Sequence, residues 1–261
     1  MNQKISEKDL EQIFIASRFK KKSQLKVFFG FLIVFLVFFA LISYLLNFSA
    51  FNQKIAWWYQ DEFQSNQSQP LTLAVKEYQS LAAATPNATT QQAGFPEIPD
   101  NSIYIESINV KAPITFGVEN DENTVSQNLK NGVIQLIGTS LPGAMGNVFI
   151  TGHSSNYPWV RSNYNAIFAL LPNVVVGDLV QVKFHNINYV YRVKKVFVVS
   201  PDDTSVLKSD SNSSILTLMT CTPVGTSLHR LIVVSDQIIP AASKNSQSGA
   251  RDQPKMPVGV R

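Results

Sequence analysis

The sequence predicts an all-β domain that follows one N-terminal transmembrane helix. Between residues 98 and 240, short runs of β-branched and aromatic residues alternate with Pro, Gly and Asn turns, and helical periodicity is scarce. Many short strands at regular spacing indicate a barrel or a sandwich, and about 140 residues are enough for one such core. The helix prediction rests on a long uncharged apolar segment near the N-terminus.

This apolar segment contains no charged residue from Val27 to Gln53, and residues 27–46 are nearly all Phe, Leu, Ile and Val. A helix of about 20 such residues matches the thickness of a bilayer core. Basic residues precede the segment, at Arg18, Lys20, Lys21, Lys22 and Lys26, whereas only Lys54 follows closely. The positive-inside bias therefore predicts a cytoplasmic N-terminus and an extracytoplasmic remainder of the chain. A cleaved signal peptide is the alternative, but the apolar core is long and a clear cleavage site does not follow it.

Five regions follow from these patterns. Composition predicts a cytoplasmic leader (1–26), a transmembrane helix (27–49), an extracytoplasmic linker (50–97) with helices at 50–64 and 73–84, a β-domain (98–240) and a disordered polar tail (241–261). Within the leader, residues 9–19 are expected to form a short helix.

The strands of the β-domain are expected in the following order. Apolar runs at 102–108, 110–116 and 132–137 come first, with a helical turn predicted in the polar stretch 118–131. A strand at 147–151 runs into Gly152 and His153, and a short helix or turn follows at 164–171. A long hairpin (179–184 and 189–200) and two final strands (214–220 and 231–235) complete the domain.

Charge and cysteine content narrow the functional classes. The formal net charge of the 261 residues is only +4, and the excess lies in the leader and the tail, so the chain does not resemble a nucleic-acid-binding protein. A single cysteine excludes an internal disulfide framework and any multi-cysteine metal site. An unpaired thiol outside the cell risks oxidation, and a catalytic role would explain its presence.

The one cysteine, Cys221, ends a predicted strand, and Arg230 begins the next. The loop between them, of about eight residues with Pro223 and Gly225, can fold back and bring the thiol and the guanidinium together at one rim of the sheet. A thiol beside a permanent cation suits attack on a carbonyl, because negative charge develops on the oxygen. A buried, inert cysteine is the alternative interpretation.

A cysteine nucleophile needs a partner that moves protons, and the chain has three histidines. His185 lies in the predicted hairpin turn, where it is most simply a solvated residue. His229 adjoins Arg230, so on a strand the two side chains point to opposite faces. His153 follows a strand and opens a polar loop, and we select it as the proton carrier.

These residues resemble the sortase family of membrane-anchored cysteine transpeptidases of bacterial surfaces. The family's Thr-Leu-x-Thr-Cys motif stands at 217–221, its Gly-His pair at 152–153 and its arginine at Arg230. The turn 141–147, the Gly177-Asp178 pair and the segment 199–203 are also similar, so the resemblance covers about residues 98–239.

The resemblance implies an eight-stranded sortase β-barrel with short helices. It also implies that Cys221 attacks a Leu-Pro-x-Thr-Gly-like motif of a surface protein, that His153 transfers protons and that Arg230 binds the oxyanion or the peptide. Thr220 and Thr222 would contribute to substrate binding. The acceptor amine would come from a cell-wall precursor or a pilin subunit, and no cofactor or metal is expected.

The sortase class stays open at this point. The short loop before Arg230 is similar to the pilin-type class C and to housekeeping classes D and E, but the chain shows neither an Asp-Pro-aromatic lid motif nor a second apolar span. The segment 156–159 departs from the family and either shapes the groove or packs as a plain aromatic patch. Glu119, Asp121 and Glu122 could bind calcium, although a solvated acidic turn is favoured. Two other functions stay open, an extracytoplasmic cysteine hydrolase that uses the same residues and a non-catalytic anchored binding protein.

Overall fold

The computed structural model describes residues 7–46, 48–64, 95–157, 159–208 and 213–246. The chain divides into two compact units, Met1–Leu46 and Asn47–Arg261. The helix predicted at 73–84 and the tail beyond residue 246 lie outside the described residues.

The described residues of the first unit form a single helix, α1 (Glu7–Leu46), of 40 residues. We expect a separate leader helix and membrane helix, but the two are continuous because neither Gly nor Pro interrupts residues 7–29. Within α1, Lys26–Leu46 is long and apolar enough to cross a membrane, by length and composition. Its side chains are mostly exposed, Phe31 at 72% for example, as expected for a helix whose surroundings are lipid.

The second unit contains a closed β-barrel and begins with helix α2 (Phe48–Gln64). The eight strands are β1 (Ser102–Ile105), β2 (Val110–Val118), β3 (Val133–Leu136), β4 (Gly146–Thr151), β5 (Leu179–Phe184), β6 (Ile187–Val199), β7 (Ser214–Thr222) and β8 (His229–Ile239). They follow one another around the barrel in the order β1-β2-β3-β4-β7-β8-β6-β5. This confirms the predicted all-β class and the eight-stranded barrel.

Two of the strand pairs are parallel, β2 with β3 and β4 with β7, and the others are antiparallel. A parallel pair needs a crossover, and the one between β2 and β3 carries helix α3 (Glu122–Asn128). Asp121 caps α3, its Oδ1 accepting a hydrogen bond from the Thr124 amide at 2.9 Å. This hydrogen bond holds the pKa of the Asp121 carboxyl below its usual value. One carboxylate of the predicted acidic turn is therefore a helix cap.

Side-chain alternation along β7 separates two apolar layers. Leu216 and Leu218 belong to a large cluster with members from all eight strands, which is the barrel interior. Met219 and Cys221 belong to a second cluster, which α3 covers through Val125. Because successive residues of a strand point to opposite faces, the cysteine lies on the outer face of the barrel.

Several boundaries differ from the prediction. The first strand ends at Ile105, and a 3-10 turn occupies Glu106–Ile108 because Asn109 adopts a left-handed conformation with φ 48°. Strands β7 and β8 extend beyond the predicted ends, so that Cys221 and Arg230 lie within them. The start of the predicted tail contacts the turn before β4, where Ser246 forms an isolated β-bridge with Ala144.

Candidate active site

Strand β7 places Cys221 between two neighbouring strands. On one side, Cys221 is directly opposite Arg230 of the antiparallel strand β8, so both side chains lie on the same face. On the other side, Thr151, the last residue of the parallel strand β4, is paired with Met219. His153 is two residues after Thr151, and Cys221 is two residues after Met219. Because β4 and β7 are parallel, the histidine lies just past the end of β4, level with the cysteine.

The segment Gly152-His153 is fixed against its neighbours by three hydrogen bonds. The Gly152 amide donates to the Met219 carbonyl at 3.3 Å. The Thr220 hydroxyl donates to the Gly152 carbonyl at 2.8 Å. The Phe168 amide donates to the His153 carbonyl at 2.9 Å. The backbone of the histidine is therefore held beside the strand that carries Cys221.

We expect Gly152→Ala to displace His153. An added Cβ would lie 2.8 Å from Cδ2 of Phe168 and 2.9 Å from Cγ1 of Val133, in the packed barrel interior. Such overpacking costs about 1–3 kcal/mol of unfolding free energy, and the backbone shift should lower turnover per folded molecule. Thermal unfolding and peptide-transfer assays measure the two effects.

Gly177→Ala is the matched control. Gly177 has a φ of +103° and no atom within 4 Å of an added Cβ, so alanine there strains the backbone without touching the site. Stability should fall in both variants, but only Gly152→Ala should lose activity per folded molecule. Equal activities would show that the tight packing at Gly152 does not position His153.

The three predicted catalytic side chains are buried, with exposures of 0% for Cys221, 2% for His153 and 7% for Arg230. Arg230 Nη1 donates to the carbonyls of Ser227 at 3.0 Å and of His229 at 3.2 Å. Its Nε atom is buried and has no hydrogen-bond partner among the residues that the structure describes. A buried N–H group without an acceptor is costly, so this atom is suited to bind an incoming oxygen.

Burial raises the pKa of the Cys221 thiol, and the nearby Arg230 charge opposes that rise. Burial is the larger of the two effects. The thiol is therefore protonated in this closed arrangement at neutral pH, and a base must take its proton before the sulfur can attack.

The raised pKa predicts a stability loss at alkaline pH. The folded state holds the thiol proton more tightly than the unfolded state, so this stabilisation is complete below the unfolded pKa of about 8.5 and disappears as pH rises through the folded pKa. Thermal unfolding of the full chain should therefore show wild type losing stability relative to Cys221→Ala above about pH 8.5. Parallel curves for the two proteins would contradict the raised pKa.

The two predicted substrate-binding threonines and the other two histidines lie in different parts of the barrel. Thr220 is completely buried and lies on the inner face. Its hydroxyl donates to the Gly152 carbonyl, so it contacts the backbone of the residue before the histidine. Thr222 is half-buried at the end of β7, opposite His229. His185 stacks on Phe184 in the β5–β6 turn, at 4.0 Å between ring centroids, and His229 is exposed.

Asn156 and Asn165 were not identified from the sequence. Asn156 Nδ2 lies 3.2 Å from Nε2 of His153 and 3.1 Å from Oδ1 of Asn165. The sequence marked Asn156 only as part of the segment 156–159 that departs from the family, and Asn165 only as part of the predicted short helix or turn at 164–171. In the same loop, Tyr157 and Trp159 stack at 4.6 Å and are exposed at 41% and 69%, so this aromatic pair does not belong to the core.

Comparison with known families agrees with this geometry. The family model described as Sortase domain matches residues 103–238, which include all eight strands except for one residue at each end of the barrel. The chain belongs to the sortase family. Sortases are cysteine transpeptidases, and the family gives this sortase that general activity. Family membership also implies substrates with sorting motifs and amine acceptors in general.

Individual relatives of this sortase are distant. Sortase D of Bacillus subtilis (strain 168) is 27% identical over 175 residues, which are 64% of this chain and 80% of that protein. The sortase C1 structure from Streptococcus suis is 27% identical with a TM-score of 0.46, and the match includes 56% of this chain and 76% of the Streptococcus suis chain. The Clostridium perfringens sortase D5 structure is 26% identical with a TM-score of 0.44, and the match includes 68% of this chain and 94% of the Clostridium perfringens chain.

Proposed function

We propose that this sortase cleaves a Leu-Pro-x-Thr-Gly-like motif in surface proteins and transfers the acyl fragment to an amine. The observation that supports this function is the arrangement at the outer face of the barrel. Cys221 lies opposite Arg230 on one side, and His153 follows the adjacent strand on the other. The proton carrier therefore follows β4 directly, and the nucleophile and the cation lie on the next two strands around the barrel, β7 and β8.

The first half of the reaction forms a thioester. The Cys221 sulfur attacks the carbonyl carbon of the scissile Thr-Gly bond after its proton has moved to His153. Negative charge appears on the carbonyl oxygen, and Arg230 binds it through the buried Nε–H group. His153 then gives its proton to the departing amine as the C–N bond breaks, which leaves a thioacyl group on Cys221.

The second half reverses these proton movements. The acceptor amine attacks the thioester carbonyl, and His153 removes a proton from the attacking nitrogen. A new amide bond forms as the C–S bond breaks, and the departing Cys221 thiolate takes the proton from His153. The roles that we propose for the two threonines differ. Thr220 supports the Gly152 carbonyl just before the histidine, and the half-buried Thr222 contacts the substrate at the rim.

We further propose a single-pass topology for the chain. The basic residues before the apolar part of α1 favour a cytoplasmic N-terminus, with residues 98–240 as the extracytoplasmic catalytic domain. Surface proteins would reach the enzyme at the membrane. The acceptor would be a cell-wall precursor or the lysine of a pilin subunit.

Mass spectrometry of the intact full chain in detergent micelles tests the proposed function. The chain is incubated with Leu-Pro-x-Thr-Gly-like peptides that vary at each position, with and without triglycine. We expect a mass increase on Cys221 equal to the acyl fragment, located by peptide mapping, and a peptide–triglycine product only when triglycine is present. Hydrolysed peptide alone, even with excess amine, would favour the hydrolase. An unmodified Cys221 with every peptide would contradict the proposed motif.

A further inference from the structure

The loop that begins at His153 contains a chain of side-chain amides that ends at the imidazole. Asn156 Nδ2 is 3.2 Å from His153 Nε2 and 3.1 Å from Asn165 Oδ1. Asn156 Oδ1 accepts a hydrogen bond from the Tyr157 amide at 2.8 Å. Asn165 is 8% exposed, and its Nδ2 donates to the Val160 carbonyl.

These contacts fix the orientation of both amides. The Tyr157 amide is a donor and the Val160 carbonyl is an acceptor, so the oxygen of Asn156 and the nitrogen of Asn165 are determined by their backbone partners. Turning the Asn156 amide around would place two donors together at Tyr157 and two oxygens together at Asn165. The group that Asn156 presents to His153 is therefore an N–H donor.

A donor at Nε2 determines the state of the imidazole. The Nε2 atom must offer a lone pair, so the neutral ring carries its proton on Nδ1. A carboxylate at this position would instead favour the doubly protonated ring. Residues 153–165 contain neither Asp nor Glu, so this loop offers the ring no such acceptor.

We propose that Asn156, braced by Asn165, is a positioning residue that keeps His153 neutral in the closed site and must leave Nε2 before the ring takes up a second proton. This inference rests on the proposed function, in which His153 carries protons. It adds a condition on when the histidine can take up a proton. Asn156 imposes this condition, and it is not one of the three motif residues Cys221, His153 and Arg230.

Activation of the thiol is then coupled to movement of this loop. The imidazolium needs a proton on each ring nitrogen, and Nδ1 already has one. The proton that leaves the Cys221 sulfur, directly or through water, therefore ends on Nε2, where Asn156 now lies. Because all three catalytic side chains are buried, substrate entry must open the site. The same movement can withdraw Asn156 and allow the thiolate–imidazolium pair to form.

Other ionisable groups lie on the strands and the loop next to His153. The groups on the adjoining elements are Cys221 of β7, His229 and Arg230 of β8, and Tyr157, Arg161 and Tyr164 of the loop itself. The positive charges of Arg230 and Arg161 disfavour an imidazolium, whereas a Cys221 thiolate favours it. A test must therefore separate the contact with Asn156 from the overall charge of the loop.

Nitrogen-15 NMR of the full chain, labelled at histidine and held in detergent micelles, tests the proposal without any substrate. Signals of His153 are assigned by comparison with His185→Gln and His229→Gln. In wild type at neutral pH we expect a protonated Nδ1 and an unprotonated Nε2. Asn156→Asp should raise the titration midpoint of His153 by about one pH unit or more, because an acceptor replaces the donor. Asn156→Ala should raise it by a smaller amount.

Asn163→Asp is the matched control, because Asn163 is exposed in the same loop and receives the same added charge. Its midpoint should stay close to that of wild type. As a second measurement, iodoacetamide should alkylate Cys221 several-fold faster at pH 7 in Asn156→Asp than in Asn163→Asp, because a stabilised imidazolium favours the thiolate.

Two results would overturn the proposal. One is an Nε2-protonated neutral ring in wild type, and the other is a midpoint in both Asn156 variants that equals that of Asn163→Asp. Neither result depends on turnover. A wild type that shows the expected tautomer but transfers no peptide would contradict the proposed function, and it would still support the contact between Asn156 and His153.

Discussion

Replacing Cys221 with alanine is expected to abolish thioacyl formation and to lower peptide transfer by about 10³-fold or more, because no other nucleophile can replace the sulfur. The barrel should remain folded. Cys221 is small and packs among apolar side chains of the outer layer, so its truncation should cost only about 1 kcal/mol. Intact-mass spectrometry and thermal unfolding of the full chain measure both effects.

Met219→Leu is a suitable control for this variant. Met219 belongs to the same strand and the same apolar cluster, and leucine has a similar volume. The control should therefore change stability slightly and keep the activity. Continued product formation by Cys221→Ala would contradict the proposed role of the Cys221 thiol as the nucleophile.

Loss of the Arg230 charge is expected to have the second largest effect. Arg230→Met keeps an apolar stem of similar length but removes both the cation and the buried Nε–H group. We expect kcat to fall by about 10²–10³-fold, the usual cost of losing an oxyanion donor. The pKa of the Cys221 thiol should also rise further, because the Arg230 charge now lowers it. A pH series of iodoacetamide alkylation rates measures that change.

Arg230→Lys separates charge from geometry. Lysine keeps a positive charge but cannot reproduce the planar guanidinium with its fixed Nε–H group. It should therefore recover most of the shift in thiol pKa and only part of the lost kcat. Arg161→Met is the control for general charge, since Arg161 is exposed on the loop after His153. Equal losses in Arg161→Met and Arg230→Met would show that Arg230 has no direct role at the oxyanion.

The strands could be predicted because their signals are local. Alternation and turn residues give the bounds of β5, and they give β4 and β6 to within two residues at each end. The pairing of the strands could not be predicted in the same way. Nothing in the sequence of β4 indicates that it lies parallel to β7, since that neighbour is chosen by closure of the whole barrel.

In the candidate site, too, the local features could be predicted and the long-range contacts could not. Cys221, His153 and Arg230 were selected from residue chemistry and motif spacing, and the structure brings their strands together. The inward position of Thr220 follows from alternation only when the face of Cys221 is known. The contact between Asn156 and His153 depends on the path of an irregular loop, for which a single sequence has no periodic signal.

The parallel pairing of β4 with β7 also has a consequence for folding. The hydrogen bond from Thr220 to Gly152 joins residues 68 positions apart, so the loop-closure entropy is lost before this contact forms. Refolding chains should gain helix and hairpin signals before they gain a functional site. Recovery of enzymatic activity is therefore expected to coincide with the slowest spectroscopic phase of barrel closure, and nascent chains should stay inactive until β8 has joined the sheet.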